Sequence, residues 1–586
     1  MIHREDFQGE FLLATRPAAP RRELPQAPRA SVGGGDAGRP DADDIEVWLQ
    51  GEIYNAHELR GPLGLNAAAP LQVVLAHAWR LWSVDLFHRL DGVFALALRD
   101  RDELVLYRDP YGPSRLYWHR GNDGRVTYAT HLCALLQQSG GRRTVARQSL
   151  HEYLRFLDIA APHTLFEGVH AVEAGHLVRC NAHGCQSQLA PLPADAADAA
   201  DAADAADAVG SFSEAVDTLN AHLRQSVELR LAGAAKPAAF LSGGIDSSLL
   251  CAIAASQRAD TTAITVGFDT APYDETPVAQ RVASHLGLAH QVWRFSRQDY
   301  LSALQRLSRH SEQPAADPAT PATVLAFDRC RNLFDTVLDG TGADEAVGMM
   351  PPRHVRVAVE YGSRVPRALR GPLVRLMRAL PGLAGYTPLL DFEHPADTMI
   401  RWGGFTRLEI ERLCEEPVSF ADTTFYRTFD RHRRDTHYDR YTALYNAMPF
   451  DRLTQATLVS GLHVRYPFYG RETDRFLRQL PTDYRHLPDQ PKRILRELLA
   501  SYMPRPIWDL PKHGFDFPLA AFLEGDNFAL VRTYLDAGRW RGTGLLRDEA
   551  VWRYAQDFMA GDRRLMFRVW ALVILGAWLE QHELLN

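Results

Sequence analysis

A short apolar strand that turns through two glycines into a helix limits what the second half of this chain can fold into. Residues 237–241 have strand character, Ser242-Gly243-Gly244 follows, and the next residues predict an apolar helix over 247–256. A second β-branched strand over 261–268 and a helix over 277–286 continue the alternation. This order of strand, helix, strand and helix predicts an α/β domain with a parallel sheet flanked by helices.

The loop at residues 242–248, Ser-Gly-Gly-Ile-Asp-Ser-Ser, has the features of an anion site. Its glycines allow positive φ and close backbone approach, and the start of a helix adds partial positive charge. Ser242, Ser247 and Ser248 add hydroxyl donors. Asp246 would repel a phosphate unless a metal lay between them, which indicates Mg²⁺. The alternative is a Gly-Gly turn with a capping Asp or Ser.

A second strand runs into a glycine loop at residues 337–345, Val-Leu-Asp-Gly-Thr-Gly-Ala-Asp-Glu. Parallel strands place such loops at the same edge of a sheet, where ligands bind. We therefore expect Asp344 to be the second carboxylate on the metal that Asp246 binds.

An Ala/Asp repeat over residues 194–208, with an aspartate at every third position, marks a boundary in the chain. A period of three leaves no apolar helix face to bury, so this segment predicts a solvated linker. The predicted organisation of the 586 residues is a first domain over 1–190, a linker over 191–210 and a second domain over 211–586.

Strand patterns dominate the first domain, at residues 45–49, 94–98 and 104–107, whereas residues from 350 onward are mostly helical in pattern. A loop is expected near residues 16–44, which are rich in Pro, Gly and Ala. The longest apolar run, residues 569–579, is too short to span a bilayer and predicts a buried terminal helix.

Composition excludes several classes of protein. The net charge of −7 and the pI of about 6.4 argue against a broad nucleic-acid surface. Six cysteines in a chain of this length do not predict a disulfide framework, and Cys180 and Cys185 have no second pair that would complete a zinc site. We expect six reduced thiols in a cytoplasmic protein without a signal peptide or membrane span.

The loop at 242–248 resembles the SGGxDS pyrophosphate loop of the ATP pyrophosphatase superfamily. Together with the loop at 340–345, it resembles the asparagine synthetase B family. Further blocks resemble that family in the same order: Tyr273-Asp274-Glu275, residues 312–318, Asp451-Arg452, residues 464–468, Lys492 with Leu495-Arg496, and residues 511–515.

This resemblance implies that a substrate carboxylate attacks the α-phosphate of ATP, and that an amine then displaces AMP from the acyl-adenylate. ATP and Mg²⁺ are the implied cofactors, with Asp246 and Asp344 as metal ligands and catalytic residues. Lys492 and Lys512 are implied as catalytic, phosphate-binding cations. The implied nucleotide-binding set is Leu241, Ser242, Gly243, Gly244, Asp246, Ser247, Ser248, Val266, Gly340, Lys492 and Lys512. Ordinary strand core explains Leu241 and Val266 equally well.

Residues 50–55, 91–95 and 108–112 resemble the glutaminase domain of the same family, which implies an N-terminal-nucleophile type α+β sandwich. The catalyst of that domain is a cysteine directly after the initiator Met. This chain has Ile2 there and no cysteine before Cys133, and residues 70–73 lack the acid that contacts glutamine. We therefore expect a degenerate domain in which Glu52 and Asn55 are structural relics or part of a peptide-binding surface.

Thr341 stands where asparagine-forming loops have a glutamate near the reacting groups, which predicts a changed acceptor. Relatives without a glutaminase use an amine of the same substrate. We favour a lasso-peptide cyclase, which adenylates an Asp or Glu side chain of a precursor peptide and closes a macrolactam onto its N-terminal amine. Its expected partners are the precursor peptide and the leader-peptidase and leader-recognition proteins of the pathway.

Other functions stay open. An asparagine synthetase-like or β-lactam synthetase-like enzyme would form an amide on a small-molecule carboxylate, although Thr341 is not the tyrosine expected of the latter. A tRNA-modifying enzyme of the superfamily would need an RNA-binding surface that the sequence does not indicate. A scaffold with a dead site conflicts with the retained Asp246, Asp344, Lys492 and Lys512.

Overall fold

The computed structural model describes residues 8–12, 45–139, 143–190, 210–269, 274–380, 382–399, 403–418, 420, 423–447, 451–510, 517–582 and 584. The predicted loop near 16–44 and the Ala/Asp repeat lie outside the described residues. The chain forms two compact units. One comprises Met1–Thr144, Ala161–Gly233 and Tyr466–Leu480, and the other comprises Val145–Ala160, Ala234–Arg465 and Pro481–Asn586. The bounds of the two domains and the linker given above stay a prediction.

The first unit contains two antiparallel sheets. Its strands are β1 Gln8–Leu12, β2 Ile45–Ile53, β3 Gly92–Asp100, β4 Glu103–Arg108, β5 Tyr117–Arg120, β6 Arg125–Ala129, β7 Val169–Ala171, β8 His176–Asn181 and β9 Gly184–Leu189. One sheet has the order β2-β3-β4-β8-β9 and the other β1-β6-β5-β7. The strands predicted at 45–49, 94–98 and 104–107 all lie in the five-stranded sheet.

Strand β3 shows why this unit forms layers. Successive side chains of a strand point to opposite faces. Ala95 and Ala97 belong to a core shared with β1 and β6, whereas Phe94, Leu96 and Leu98 belong to a core shared with the helices that follow β2. The five-stranded sheet is therefore covered on both faces, by the second sheet and by helices. This confirms the predicted α+β sandwich.

The second unit contains a parallel sheet of β12 Ala289–Trp293, β11 Thr262–Val266, β10 Pro237–Phe240 and β13 Thr336–Leu338, in that spatial order. All three pairings are parallel. The predicted strands at 237–241 and 261–268 are both present, and the predicted α/β class is confirmed. Because β10 and β13 are neighbours, the loops that follow them leave the same edge of the sheet side by side.

Helices make up most of the remainder. They are α1 Ala56–Arg60, α2 Leu71–Trp82, α3 Leu86–Arg89, α4 Leu132–Gln138, α5 Arg147–Phe156, α6 Phe212–Leu231, α7 Ile245–Gln257, α8 Thr276–Leu286, α9 Arg297–His310, α10 Thr320–Leu333, α11 Ala343–Val347, α12 Arg353–Glu360, α13 Arg367–Ala379, α14 Arg407–Leu413, α15 Thr424–Arg431, α16 His437–Asn446, α17 Asp451–Ser460, α18 Arg471–Gln479, α19 Thr482–Arg485, α20 Arg493–Tyr502, α21 Arg505–Trp508, α22 Leu519–Leu535, α23 Asp548–Met559 and α24 Met566–Gln581. Helix α22 is interrupted by a kink over residues 525–528. A short antiparallel pair, β14 His486–Leu487 and β15 Gln490–Pro491, precedes α20.

The terminal helix α24 contains the apolar run at 569–579, and every residue of that run is buried. It is therefore a core helix, as its length predicts. Among the residues that the structure describes, no helix has the length and apolar character needed to cross a membrane.

One expectation about the cysteines is wrong. Cys180 and Cys185 stand opposite each other on β8 and β9 and form a disulfide, whereas six reduced thiols were expected. Their pairing depends on the register of a hairpin, which places two sequence-near residues directly across from one another. The other four cysteines are free.

Candidate active site

The loop between β10 and α7 is held by its own hydroxyl groups. The backbone N–H of Ser242 donates to Ser247 Oγ over 3.1 Å, and the Ser247 hydroxyl donates to the carbonyl of Gly244 over 3.2 Å. The two hydroxyl oxygens lie 3.0 Å apart. These contacts fold the loop over the first turn of α7, where unpaired helix N–H groups favour an anion.

Two glycines permit the close packing of this site. Gly243 has a φ of +78°, and a Cβ built on it would lie 2.9 Å from Val278 Cγ1. A Cβ on Gly340 would lie 3.2 Å from the backbone nitrogen of Ser247. The loop after β13 therefore packs directly against the start of α7, as expected for neighbouring parallel strands.

Carboxylates hold the second loop in shape. Asp339 Oδ1 accepts hydrogen bonds from the backbone N–H of Thr341, over 2.8 Å, and from the Thr341 hydroxyl. Glu345 Oε2 accepts from the backbone N–H of Gly342 over 2.9 Å. Neither Asp339 nor Glu345 was predicted to have this role. The available signal for Glu345 was its place three residues after Gly342, where a glutamate can accept from the N–H at the start of a helix.

Lys492 occupies the point on which the two predicted metal ligands converge. Its Nζ lies 2.5 Å from Asp246 Oδ2 and 2.7 Å from Asp344 Oδ1. Lys492 precedes α20 and has a φ of +58°, which is a strained backbone conformation for a lysine. The structure thus brings together three of the predicted catalytic residues, which are far apart in the sequence.

The pKa values of Lys492 and Glu345 are strongly shifted at this point. Burial lowers the pKa of Lys492, but the carboxylates of Asp246 and Asp344 outweigh it, so the net shift is upward and the ammonium stays charged. Burial, and then the neighbouring Asp344, raise the pKa of Glu345 to about 7. Such perturbed groups, gathered at the carboxyl edge of a parallel sheet, are typical of functional sites.

The carboxylates of Asp246 and Asp344 fit Mg²⁺ if the phosphates of a nucleotide supply further ligands. Two carboxylates converge on a single cation, and Mg²⁺ is usually held by one or two carboxylates together with substrate phosphates. Within the described ranges, no group of three or more His, Cys, Asp or Glu side chains is placed to hold a metal ion. Asp246 and Asp344 would therefore hold Mg²⁺ together with a nucleotide.

Other predicted residues have varied positions. Leu241 is buried and its backbone N–H donates to the carbonyl of Ile264 over 2.8 Å, while Val266 is half-buried at the end of β11. Ser248 is buried in α7, and its hydroxyl has no hydrogen-bond partner in the described part of the chain. Lys512 and the block around it lie outside the described residues, as do Tyr273 and Ile2.

In the first unit, the Asn55 side chain hydrogen-bonds to the backbone on both sides of Leu90. Its amide nitrogen donates to the carbonyl of Arg89 over 2.8 Å, and its amide oxygen accepts from the backbone N–H of Asp91 over 2.9 Å. The side chain is buried. Glu52 accepts a hydrogen bond from the Tyr54 hydroxyl over 2.8 Å. These contacts support the interpretation of Asn55 as a structural residue.

The fold and this edge of the sheet define a class: an α/β synthetase that carries an amidotransferase-type sandwich at its N-terminal end. Comparison with known families agrees with this class. The asparagine synthase family matches residues 218–580, and the glutamine amidotransferase domain matches residues 39–189. The chain belongs to the asparagine synthase family. It is an ATP-dependent carbon–nitrogen ligase that forms AMP and pyrophosphate.

Relatives match over nearly the whole chain. A glutamine-hydrolysing asparagine synthetase homologue of Mycobacterium tuberculosis is 26% identical over 92% of this chain and 85% of its own length. Asparagine synthetase 1 of Bacillus subtilis is 24% identical over 92% of this chain and 86% of its own. Amidase chyE of Penicillium rubens is 24% identical over 83% and 79%, respectively.

Proposed function

We propose that this enzyme adenylates an Asp or Glu side-chain carboxylate of a precursor peptide and closes a macrolactam with the peptide's N-terminal amine, as lasso-peptide cyclases do. The observation that supports it most is the convergence of Lys492, Asp246 and Asp344 in a chain with Ile2 at the glutaminase nucleophile position. The first part supports an adenylation site, and the second supports an amine source other than glutamine.

In the first step, a carboxylate oxygen attacks the α-phosphorus of ATP, the bond to the β-phosphate oxygen breaks, and pyrophosphate leaves. The loop at 242–248 would bind the pyrophosphate through backbone N–H groups and hydroxyls. Lys492, with Lys512, would place positive charge where phosphate charge grows in the transition state. Mg²⁺ held by Asp246 and Asp344 would neutralise further phosphate charge. Leu241, Val266 and Gly340 would border the nucleotide.

In the second step, an amine nitrogen attacks the acyl carbon, the bond to the AMP oxygen breaks, and the nitrogen loses a proton. Glutamine hydrolysis by the family route needs a thiol directly after the initiator Met, and the first cysteine is Cys133. A peptide that carries both the carboxylate and the amine makes amide formation intramolecular, which raises its rate when the site holds the two groups together.

Thr341 supports a changed acceptor. Asp339 holds its hydroxyl, so the short side chain is oriented by the loop itself. A glutamate at this position in asparagine-forming loops would add a carboxylate and more bulk. We infer that the shorter side chain accommodates a larger acceptor than ammonia. The peptide and the leader-processing proteins of such a pathway would be the partners, in the cytoplasm.

A second candidate function rests on the relatives. Their names favour amide formation on a small-molecule carboxylate, as in asparagine synthetases. The two functions differ in substrate and amine source, and both use the same adenylation site.

The deciding experiment is pyrophosphate exchange into ATP with a leaderless precursor peptide, aspartate or no addition. Peptide-dependent exchange, and a product lighter than the peptide by one water, are expected. Glutamine-dependent asparagine formation, without any peptide product, would refute the cyclase proposal and favour the second candidate.

Asp246→Ala should abolish exchange because it removes one of the two carboxylates that converge on the cation position. Asp260→Ala is the matched control, since Asp260 is an exposed aspartate that pairs with Arg258. Circular dichroism should show that both variants fold. Unchanged exchange in Asp246→Ala would refute the role of this carboxylate.

A further inference from the structure

Five exposed leucines follow one another along residues 369–383 of the second unit. They are Leu369, Leu373, Leu376, Leu380 and Leu383, each between 37% and 55% exposed, and we term them the leucine ridge. The spacing of four and three residues places Leu369, Leu373 and Leu376 on one face of a helix. The first three lie on α13, and the last two follow its end. Single exposed leucines are ordinary, but a continuous line of them marks a binding surface.

The leucine ridge is exposed although its helix is anchored. Val374 of α13 is buried. Arg370 donates hydrogen bonds to the carbonyls of Ser363 and Val365, both over 2.9 Å, and its guanidinium lies 4.4 Å from the centroid of the Phe392 ring. The helix therefore packs through the face that contains Arg370 and Val374. Leu369, Leu373 and Leu376 lie on another side of α13 and point away from that face.

Charge around the leucine ridge is predominantly positive, although Arg367 of α13 forms an ion pair with Glu393. Residues 361–390 contain five arginines and neither Asp nor Glu, in a chain whose net charge is −7. Arg364 and Arg375 are exposed, and so are Tyr361 and Tyr386. Leucines on one helix face, with arginines beside them and tyrosines near the ends, are typical of helices that lie in a membrane interface.

We propose that the leucine ridge docks this enzyme on an anionic phospholipid surface. The leucines enter the boundary between headgroups and acyl chains, and the arginines contact lipid phosphates. A helix face is convex, so it offers a peptide no groove, whereas a lipid surface adapts to it. The exposed Arg364 and Arg375 beside the leucines match a uniformly anionic surface. Such docking is peripheral, since the described helices include none that spans a membrane.

The test is sedimentation of the full chain with vesicles of phosphatidylcholine containing about 30% phosphatidylglycerol. The variant L369Q/L376Q removes the two most exposed leucines of the ridge, at 54% and 55%. The control L81Q/L408Q removes two leucines that are 60% and 61% exposed elsewhere. We expect the wild type and the control to bind equally, and the ridge variant to bind at least about tenfold more weakly.

Vesicles of phosphatidylcholine alone should bind the wild type weakly, and R364E/R375E should lose binding to the anionic vesicles. Retained pyrophosphate exchange would show that each variant folds, and it separates this proposal from the catalytic one. Equal sedimentation of the ridge variant and the control would overturn lipid docking. A dimer in light scattering that L369Q/L376Q dissociates would also overturn it, and would assign the leucine ridge to a second copy of the chain.

Discussion

At the scale of single residues, the first unit retains side chains whose roles are structural. Asn55 joins the end of β2 to the turn before β3 with both ends of its amide. Asn55→Ala would leave the Asp91 N–H and the Arg89 carbonyl without these partners, which destabilises a protein by about 1–3 kcal/mol. We expect a lower unfolding temperature with unchanged kcat and KM for ATP. A loss of synthetase activity at full stability would contradict the structural role.

Asp109 is a fully buried acid of the same unit. Its carboxylate accepts hydrogen bonds from the N–H groups of Phe94, Tyr111 and Gly112, over 3.2, 2.8 and 2.8 Å. Burial nevertheless raises its pKa to about 6, above the ordinary value of 3.8. The folded state therefore binds this proton more tightly than the unfolded chain. The stability contribution of Asp109 is fully present below pH 4 and falls as the pH rises to about 6.

Asp109→Asn should remove this pH dependence, because the amide does not titrate. The variant should be less stable than the wild type at low pH, since the amide nitrogen cannot accept the hydrogen bond from Phe94. The stability difference between the wild type and the variant should shrink by at most about 3 kcal/mol as the pH rises from 4.5 to 7. The difference between their unfolding temperatures should shrink accordingly. Thermal scans across this range provide the measurement. A gap that does not change with pH would contradict the raised pKa.

At the scale of elements, the loop between β10 and α7 depends on Gly243. Gly243→Ala would add a methyl group at a φ of +78° and press it against Val278 and the backbone of Ala279. We expect the KM for ATP in pyrophosphate exchange to rise at least about tenfold, because the loop must move to relieve these contacts. Gly233→Ala is the control, since Gly233 has a φ of +74° and nothing within 4 Å of an added Cβ. An equal KM in the two variants would contradict nucleotide binding by the loop.

Sequence patterns predicted the elements around this loop well because their determinants are local. Alternation and glycine spacing located β10, β11, α7 and α8 within a few residues. The same patterns could not predict the contact of Lys492 with Asp246 and Asp344, because it depends on a positive φ before α20 and on how α20 packs. The resemblance to a family selected Lys492, but only the folded chain shows the two carboxylates on either side of its ammonium.

Asp339 and the Cys180–Cys185 disulfide were missed for related reasons. Asp339 accepts a hydrogen bond from the backbone N–H of Thr341, two residues further on. The disulfide depends on the register of the hairpin. Neither follows from periodicity.

At the scale of the whole molecule, the chain matches both family domains, and the first cysteine of the sequence is Cys133. The structure describes all six cysteines. Besides the disulfide, Cys251, Cys330 and Cys414 are buried and Cys133 is half-buried. Burial raises the pKa of Cys251 to about 12 and that of Cys414 to about 12, so these thiols resist alkylation, which needs the thiolate.

Iodoacetamide should therefore label the native enzyme at Cys133 alone and leave pyrophosphate exchange intact. Mass spectrometry should find a single label, none in Cys133→Ser, and four after unfolding without reduction. A glutaminase of this family would behave differently, because alkylation of its nucleophile stops glutamine hydrolysis. Loss of amide synthesis on labelling, restored in Cys133→Ser, would place a reactive thiol in the path of the amine. We expect the opposite, because Cys133 lies on α4 and none of the residues proposed for adenylation or nucleotide binding is a cysteine.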